Sequence, residues 1–283
     1  MQTRSKQAGF SLFELILVIV LLGIMASGAG LLITSPIDAY NDQVRRQLLV
    51  DQAEMALRQI ARDVRRALPN SIRTTPFGAG WALEMVNTSD GARYRDEIGG
   101  VYLADTDILN FTSTDDQFNF LGLLDLADLT GQRLVIYNTA PANIYSDAAS
   151  GASLGIITPA ATTLTLTAPP PGIENHIAMS TPFQFSQQSP GQRAFFVDGP
   201  ISYICDPAIG RITRYSNYAY TAAQPAPPVG AAEGPVVTQL AGCSINYTAG
   251  TAQRGGIITL EISLSDSGES ITLLHQVHVD NVP

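Results

Sequence analysis

The chain has 283 residues, of which 45% are apolar, and this content excludes a disordered protein because a hydrophobic core can form. Charged residues make up only 14%, against about 25% in ordinary globular proteins, and the formal net charge is −9. Residues 1–73 carry nine basic and six acidic groups, whereas residues 74–283 carry seven and nineteen. A region with a net charge of −12 repels phosphate backbones, so the sequence predicts no nucleic-acid partner.

The N-terminal part combines a short polar leader with a long apolar segment. The leader carries Arg4 and Lys6, and the 19 residues from Leu15 to Ile33 carry no charge. A helix of that length reaches roughly 29 Å, the thickness of the hydrocarbon core of a bilayer. We therefore predict a single membrane-spanning helix over residues 10–36, with the N-terminus in the cytoplasm as the basic leader favours. The run is longer than the apolar stretch of an ordinary secretory signal peptide.

Glu14 lies at the start of this apolar segment, where an ionised carboxylate is costly unless it is paired. Cleavage between Gly9 and Phe10 would remove residues 1–9 as a leader peptide and create an α-amino group at Phe10. That cation could pair with Glu14 of a neighbouring subunit, which would neutralise two buried charges at once.

The residues Gly9, Phe10, Ser11, Leu12 and Glu14, followed by the apolar run, resemble the N-terminus of type IV pilins and type II secretion pseudopilins. This resemblance implies that a prepilin peptidase cuts after Gly9 and methylates the Phe10 amine. It implies that Glu14 guides insertion into a growing filament, with other pilins and an inner-membrane assembly platform as partners. A plain single-span anchor is the alternative.

Beyond Pro36 the apolar residues continue at spacings of three and four, which predicts an amphipathic helix over residues 37–70. Pro69 is expected to end it. Pro36 should kink the long helix because its ring removes one backbone hydrogen bond. We interpret the arginines at positions 58–66 as a solvated helix face rather than a binding patch.

Residues 71–283 change to short β-like runs separated by Gly, Pro, Asn and Asp, which predicts a β-rich periplasmic domain. Alternating apolar residues over 256–279 predict an antiparallel hairpin with a turn at Asp266–Gly268, and the helix 37–68 is the natural cover for its apolar face. The predicted fold is therefore α+β and pilin-like, with a long N-terminal helix packed on an antiparallel sheet.

Further strands and loops are predicted in the same domain from apolar runs and from loop-forming residues. The other predicted strands are Trp81–Val86, Ile108–Phe111, Arg133–Tyr137, Thr163–Leu166, Arg193–Val197 and Ile201–Cys205. The predicted loops are residues 138–160, 169–176 and 222–235.

The chain has two cysteines, Cys205 and Cys243. In an oxidising periplasm they would close a ring of about 39 residues, and such a disulfide stabilises by roughly 4 kcal/mol in the chain-entropy model. We predict that they are paired, and two free thiols are the alternative.

Five further segments carry a second resemblance, and they are residues 61–73, 131–138, 199–206, 210–215 and 275–283. They resemble the MshO-type minor pilins of the mannose-sensitive haemagglutinin (MSHA) pilus system. This resemblance implies a minor component beside a separate major pilin, acting in assembly initiation or at the pilus tip. J-type minor pseudopilins of type II secretion and W-type minor pilins are distantly similar.

No pattern of catalytic residues is evident, so we predict no enzyme, no cofactor and no metal site. His275 and His278 are three apart on a predicted strand and therefore point to opposite faces. Two acidic pairs suit either calcium or ordinary turns, and we favour turns. The pairs are Asp105 with Asp107 and Asp115 with Asp116.

Three tyrosines in one short segment, Tyr215, Tyr218 and Tyr220, bear on a second functional hypothesis. Aromatic rings stack on sugars, which would suit a tip adhesin. Alternating aromatics on a strand more often pack within the fold, and we interpret these three in that way.

Overall fold

The computed structural model shows one long helix followed by a β-rich domain. The predicted leader lies outside the described residues except for Gly9, and only the backbone is described for residues 29–35. The structure describes residues 9–102, 104, 107–125, 128–169, 172–250 and 255–283.

Helix α1 runs from Leu12 to Arg65 and continues as helix through Pro36. Leu49 is the first buried side chain among those described in the helix. The part from Leu12 to Leu48, which we call the helical arm, is about 55 Å long at 1.5 Å per residue. The kink at Pro36 stays a prediction.

Helix α1 ends at Arg65, before Pro69, where the sequence predicted its end. It ends there because the backbone that follows forms hydrogen bonds with the large β-sheet. The N–H of Leu68 donates to the carbonyl of Val86 at 2.8 Å, and the N–H of Thr88 donates to the carbonyl of Arg66 at 2.9 Å. These bonds satisfy backbone groups that another helical turn would otherwise use.

The described residues after α1 form twelve strands and a short helix α2, Pro141–Ala149. The strands are β1 (Arg73–Phe77), β2 (Gly80–Arg93), β3 (Asp115–Phe120), β4 (Arg133–Ile136), β5 (Leu164–Thr167), β6 (Asn175–Phe183), β7 (Arg193–Asp206), β8 (Arg211–Ser216), β9 (Ala232–Thr238), β10 (Leu240–Thr248), β11 (Gly256–Asp266) and β12 (Glu269–Val279).

These strands form three antiparallel sheets. The large sheet has the order β1-β2-β7-β8-β9, with β4 also paired to β7. The C-terminal sheet has the order β10-β11-β12, and the outer sheet has the order β3-β6-β5. Strand β7 organises the large sheet, because β2 pairs along it while β4 and β8 pair with its first and second halves.

The C-terminal part of α1 packs on the large and C-terminal sheets. Leu57 and Ile60 belong to one buried core with Tyr203 of β7 and with Leu260 and Ile262 of β11. Burying apolar side chains of this size contributes about 1.5–3 kcal/mol each. The predicted cover of the hairpin by the helix is confirmed, as is the α+β fold.

The predicted hairpin is also confirmed, as β11 and β12. Asp266 pairs with Glu269, and the two turn residues, Ser267 and Gly268, have φ angles of 49° and 94°. A two-residue turn of this kind needs positive φ at both positions, which glycine adopts without strain.

The remaining strand predictions have a mixed outcome. β2 contains its predicted run, and β4 and β5 match theirs to within one residue at each end. The two runs predicted over residues 193–205 belong to one strand, β7. The predicted strand Ile108–Phe111 is wrong. The carboxylate of Asp115 accepts the N–H of Asn110 at 2.9 Å, and the side-chain oxygen of Asn110 accepts the N–H of Thr112 at 2.7 Å, so this segment forms a local turn.

All three predicted loops contain some regular structure. The loop prediction for residues 138–160 is wrong over α2, where the buried carboxylate of Asp147 accepts the backbone N–H groups of Leu154, Ile156 and Ile157. Strand β9 begins within the proline-rich segment that was predicted as a loop. β6 likewise begins at the end of its predicted loop, part of which lies outside the described residues.

Cys205 and Cys243 form a disulfide with a Cα–Cα distance of 6.7 Å. It joins β7 of the large sheet to β10 of the C-terminal sheet. Cys205 is fully buried in the core beneath α1. The bond therefore links the two sheets that support the helix.

We expect the double variant Cys205→Ser/Cys243→Ser to lower the free energy of unfolding by about 4 kcal/mol, because the reduced chain gains loop entropy when unfolded. Urea unfolding of the detergent-solubilised chain, followed by fluorescence of the single tryptophan, Trp81, measures this change. An unchanged midpoint and slope would show that the bond contributes nothing to stability.

Candidate functional site at the N-terminal helix

The first part of the helical arm, up to Met25, exposes apolar side chains around its circumference with Glu14 as the acidic exception, whereas residues 38–47 include charged and amide side chains. Leu12 is 78% exposed, Phe13 is 75% exposed and Met25 is 70% exposed. A helix that is apolar on all sides is normally buried in protein or in a membrane. The β domain reaches the arm near its end, where Arg45 lies 3.8 Å from Asp266. The arm is therefore built to be covered by something other than its own domain.

The arm begins with a helix cap formed by Ser11 and Glu14. The Ser11 hydroxyl accepts the N–H of Glu14 at 3.3 Å, and the Ser11 carbonyl accepts the N–H of Leu15 at 3.1 Å. Serine at the N-cap with glutamate three residues later is the capping-box pattern, and a carboxylate in the first turn suits the helix dipole. Glu14 thus has a local role in the helix besides the predicted pairing with the Phe10 amine.

The predicted cleavage junction precedes this cap and is accessible. Gly9 and Phe10 lie outside the helix, and Phe10 is 79% exposed. A methyl group added at Gly9 would meet no atom within 4 Å, so the folded chain does not itself require glycine there. A requirement for a small residue would therefore come from the enzyme that cleaves the junction.

Asp63 fixes the other end of α1 to the large sheet. Its carboxylate oxygen Oδ2 accepts the hydroxyl of Tyr203 at 2.7 Å and the Nε–H of Arg214 at 2.9 Å. Burial raises the pKa of Tyr203, and its hydrogen bond to Asp63 raises that pKa further, so the phenol stays protonated as a donor. A force applied to the arm is thereby transmitted to β7 and β8.

A second buried ion pair joins β1 to β2. The Nε–H of Arg73 donates to Glu84 at 2.5 Å, and the hydroxyl of Tyr218 donates to the same carboxylate at 2.9 Å. Glu84 is fully buried, and burial raises its pKa although the hydrogen bond to Arg73 opposes the rise. Arg73 also donates to the carbonyls of Thr221 and Ala222, which ties the proline-rich loop to the sheet.

The structure uses two of the three clustered tyrosines in packing. Tyr218 is occupied by its bond to Glu84, and Tyr220 lies 6.2 Å from Tyr145 between ring centroids. The guanidinium of Arg73 lies 3.5 Å above the Tyr145 ring. These contacts fit our packing interpretation and occupy the rings that a sugar would need.

The candidate metal ligands serve other purposes. His275 lies on the face of β12 that is turned towards α1, whereas His278 is exposed on the other face, as predicted. Asp107 and Asp115 accept backbone N–H groups in turns. Asp105 lies outside the described residues. Within the described chain, no three acidic, histidine or cysteine side chains are grouped to hold a metal.

Sequence reasoning missed the two buried carboxylates, Asp63 and Glu84. Asp63 had a signal, since it interrupts the apolar face between Ile60 and Val64. Its partners lie about 140 and 151 positions along the chain, so the contact itself was not predictable from local pattern.

Comparison with known proteins identifies the N-terminal region. Residues 4–30 match the family model of the prokaryotic N-terminal methylation motif. The match supports a type IV pilin or pseudopilin, a structural rather than enzymatic class, and implies processing by prepilin peptidase and membrane anchoring. Neither the search of curated proteins nor the search of solved structures returned a match. In the part of the chain that the structure describes, no helix was found long and apolar enough to cross a membrane.

The capping role and the charge-pairing role of Glu14 can be separated by two variants. Glu14→Gln keeps an amide that suits the capping box but removes the charge, whereas Glu14→Ala removes both. We expect both variants to be cleaved normally and both to enter filaments roughly tenfold less, because pairing with the Phe10 amine needs the charge. Immunoblots of sheared filaments against membranes measure incorporation.

Glu54→Gln is the control for these variants, since Glu54 is exposed on the same helix and pairs only with Arg58 among described residues. It should assemble like the wild type. Normal incorporation of Glu14→Gln with loss for Glu14→Ala would assign Glu14 to capping and contradict the pairing role.

The buried ion pair is tested by a double-mutant cycle. Glu84→Met or Arg73→Met alone leaves one buried charge without its partner, and we expect each to cost roughly 3–5 kcal/mol of unfolding free energy. The double variant should cost clearly less than the sum of the two, since it leaves no unpaired charge. Urea unfolding followed by Trp81 fluorescence measures all four chains, and additive costs would show that the pair is not coupled.

Proposed function

We propose that this chain is a minor pilin of a type IV pilus of the MSHA type, acting in assembly initiation or at the pilus tip. Its precursor would lie in the inner membrane through residues 10–36, with the N-terminus in the cytoplasm and the β domain, residues 71–283, in the periplasm. Prepilin peptidase would cleave after Gly9 and methylate Phe10. The mature chain would then enter the filament through α1.

The observation that carries this proposal is the helical arm. Its part up to Met25 is exposed and apolar around its circumference, it starts at an accessible junction, and it carries Glu14 in its first turn. It is also continuous with the part of α1 that is fixed to the β domain through Asp63. One continuous helix therefore links an apolar insertion segment to a water-facing domain.

The physical chemistry of insertion follows from the two environments of the arm. Lipid tails and a bundle of apolar helices are similarly apolar, so moving Leu or Ile side chains between them gives little hydrophobic driving force. The free energy that favours the filament over the membrane must therefore come from close packing and from charge. Gly23 and Gly28 leave open space on the arm for close helix approach. Neutralisation of Glu14 by a Phe10 amine of a neighbouring subunit would supply the charge term.

The assignment to the MSHA type is supported by where the five resembling segments lie. Four of them include elements of the core beneath α1, namely the end of α1 with the start of β1, the second half of β7, β8, and β12 with the C-terminus, whereas the fifth covers β4, which packs in the neighbouring cores. The resemblance thus concerns regular elements rather than isolated loops. The partners in this proposal are prepilin peptidase, the major pilin, other minor pilins and the inner-membrane assembly platform.

A J-type minor pseudopilin of a type II secretion system is the second candidate, because the N-terminal motif supports pilins and pseudopilins alike. A tip adhesin is a weaker alternative, since Tyr218 and Tyr220 are engaged in packing.

Deletion of the gene from its natural host separates these candidates. An assembly-initiating minor pilin predicts loss of surface pili, seen by electron microscopy and by immunoblot of sheared filaments. Complementation with the wild-type gene should restore pili, whereas complementation with Glu14→Ala should not.

Other outcomes would contradict the proposal in distinct ways. Normal pili that fail to adhere would identify a dedicated adhesin. Normal pili with loss of secreted exoproteins would identify a pseudopilin.

A further inference from the structure

Six arginines converge on one face of this acidic protein. Two neighbouring cavities, of about 440 and 430 Å³, lie beside the C-terminal end of α1, and both are lined by Arg65 and Arg66. His275 lines the smaller cavity. We define the arginine surface as Arg58, Arg62, Arg65, Arg66, Arg93 and Arg193.

Most of the charge on this surface is not neutralised within the chain. Arg58 pairs with Glu54, and Arg193 lies 3.9 Å from Asp280. The ion pairs between described residues do not include Arg62, Arg65 or Arg66, all of which are exposed. The surface therefore offers several free guanidinium groups.

The arginines of α1 gather at its C-terminal end. Arg58, Arg62 and Arg66 follow one another at i,i+4, where like charges repel, but the helix dipole favours cations in the last turn and offsets that repulsion. The sheet then adds Arg93 of β2 and Arg193 of β7 to the same face.

We propose that the arginine surface docks a carboxylate-rich surface of a neighbouring subunit, an inference that rests on the proposed pilus function. Guanidinium groups bind carboxylates through paired hydrogen bonds, and the two cavities give the partner side chains room to enter. Asp90 and Asp280 also line the larger cavity, so the partner carboxylates are expected to contact the arginines away from these two residues.

The size of the surface favours a protein partner over a long polyanion. Its helical part, from Arg58 to Arg66, is about 12 Å long. A nucleic-acid duplex would extend beyond it onto the rest of the β domain, and residues 74–283 carry a net charge of −12, which repels phosphates. A cluster of Asp and Glu side chains on a folded neighbour, by contrast, is small enough to contact only the arginines.

Binding is tested on the purified full-length chain in detergent with a fluorescein-labelled oligoglutamate peptide. We expect Arg62→Gln/Arg65→Gln to weaken binding roughly tenfold, and wild-type affinity to fall as salt is added. The control variant Arg46→Gln/Arg211→Gln removes the same charge from exposed arginines elsewhere and should bind like the wild type. Equal losses in both variants, or tighter binding of a DNA duplex of the same charge, would overturn the inference.

The partner is tested in cells that make filaments. A photo-crosslinking phenylalanine analogue at Arg62 should capture another pilus subunit through a peptide that contains Asp or Glu, whereas the analogue at Arg211 should not. Capture of no pilus subunit, or of a peptide without acidic residues, would contradict the docking. The peptide-binding assay needs no filament, so loss of the proposed function would leave its result unchanged, and the two failures are distinguishable.

Discussion

Helix α1 extends beyond the β domain that supports it, and the rest of the structure depends on what covers the extending part. The β domain buries the helix from Leu49 onward, using the apolar faces of the large and C-terminal sheets. The arm up to Met25 has apolar side chains, apart from Glu14, that the described structure leaves exposed. Since apolar surface avoids water, we expect this part of the arm in lipid or among other helices. This requirement connects the fold to assembly.

The β domain binds the other end of α1 through several contacts. Asp63 bonds to both β7 and β8, and the disulfide between Cys205 and Cys243 joins the two sheets beneath the helix. These links attach the C-terminal part of α1 to several strands at once. The buried pair Arg73–Glu84 extends the same framework to the proline-rich loop.

Much of this architecture was predictable from local pattern. The long helix and the β11–β12 hairpin followed from apolar periodicity, and the motif around Glu14 followed from one acidic residue within an apolar run. Helix α2 was missed because it has only nine residues, and Asp147 bonds to backbone beyond its end. The segment at Ile108–Phe111 resembled a strand in composition, but Asp115 holds it in a turn.

Contacts between residues far apart in the sequence could not be predicted from the sequence alone. Asp63 meets Tyr203 across 140 positions, and Arg93 and Arg193 join the helix arginines only after β2 and β7 pair. These side chains carry no local signal of their partners. The arginines of α1 were visible as a cluster, but their convergence with the sheet arginines on one face was not.

The account depends on a processed helix that leaves the membrane and enters a bundle of similar helices. Mass spectrometry of the N-terminal peptide of the chain, purified from sheared filaments, tests this most directly. The account predicts a mature chain that begins with N-methylated Phe10. A chain in those filaments that still begins at Met1 would contradict it.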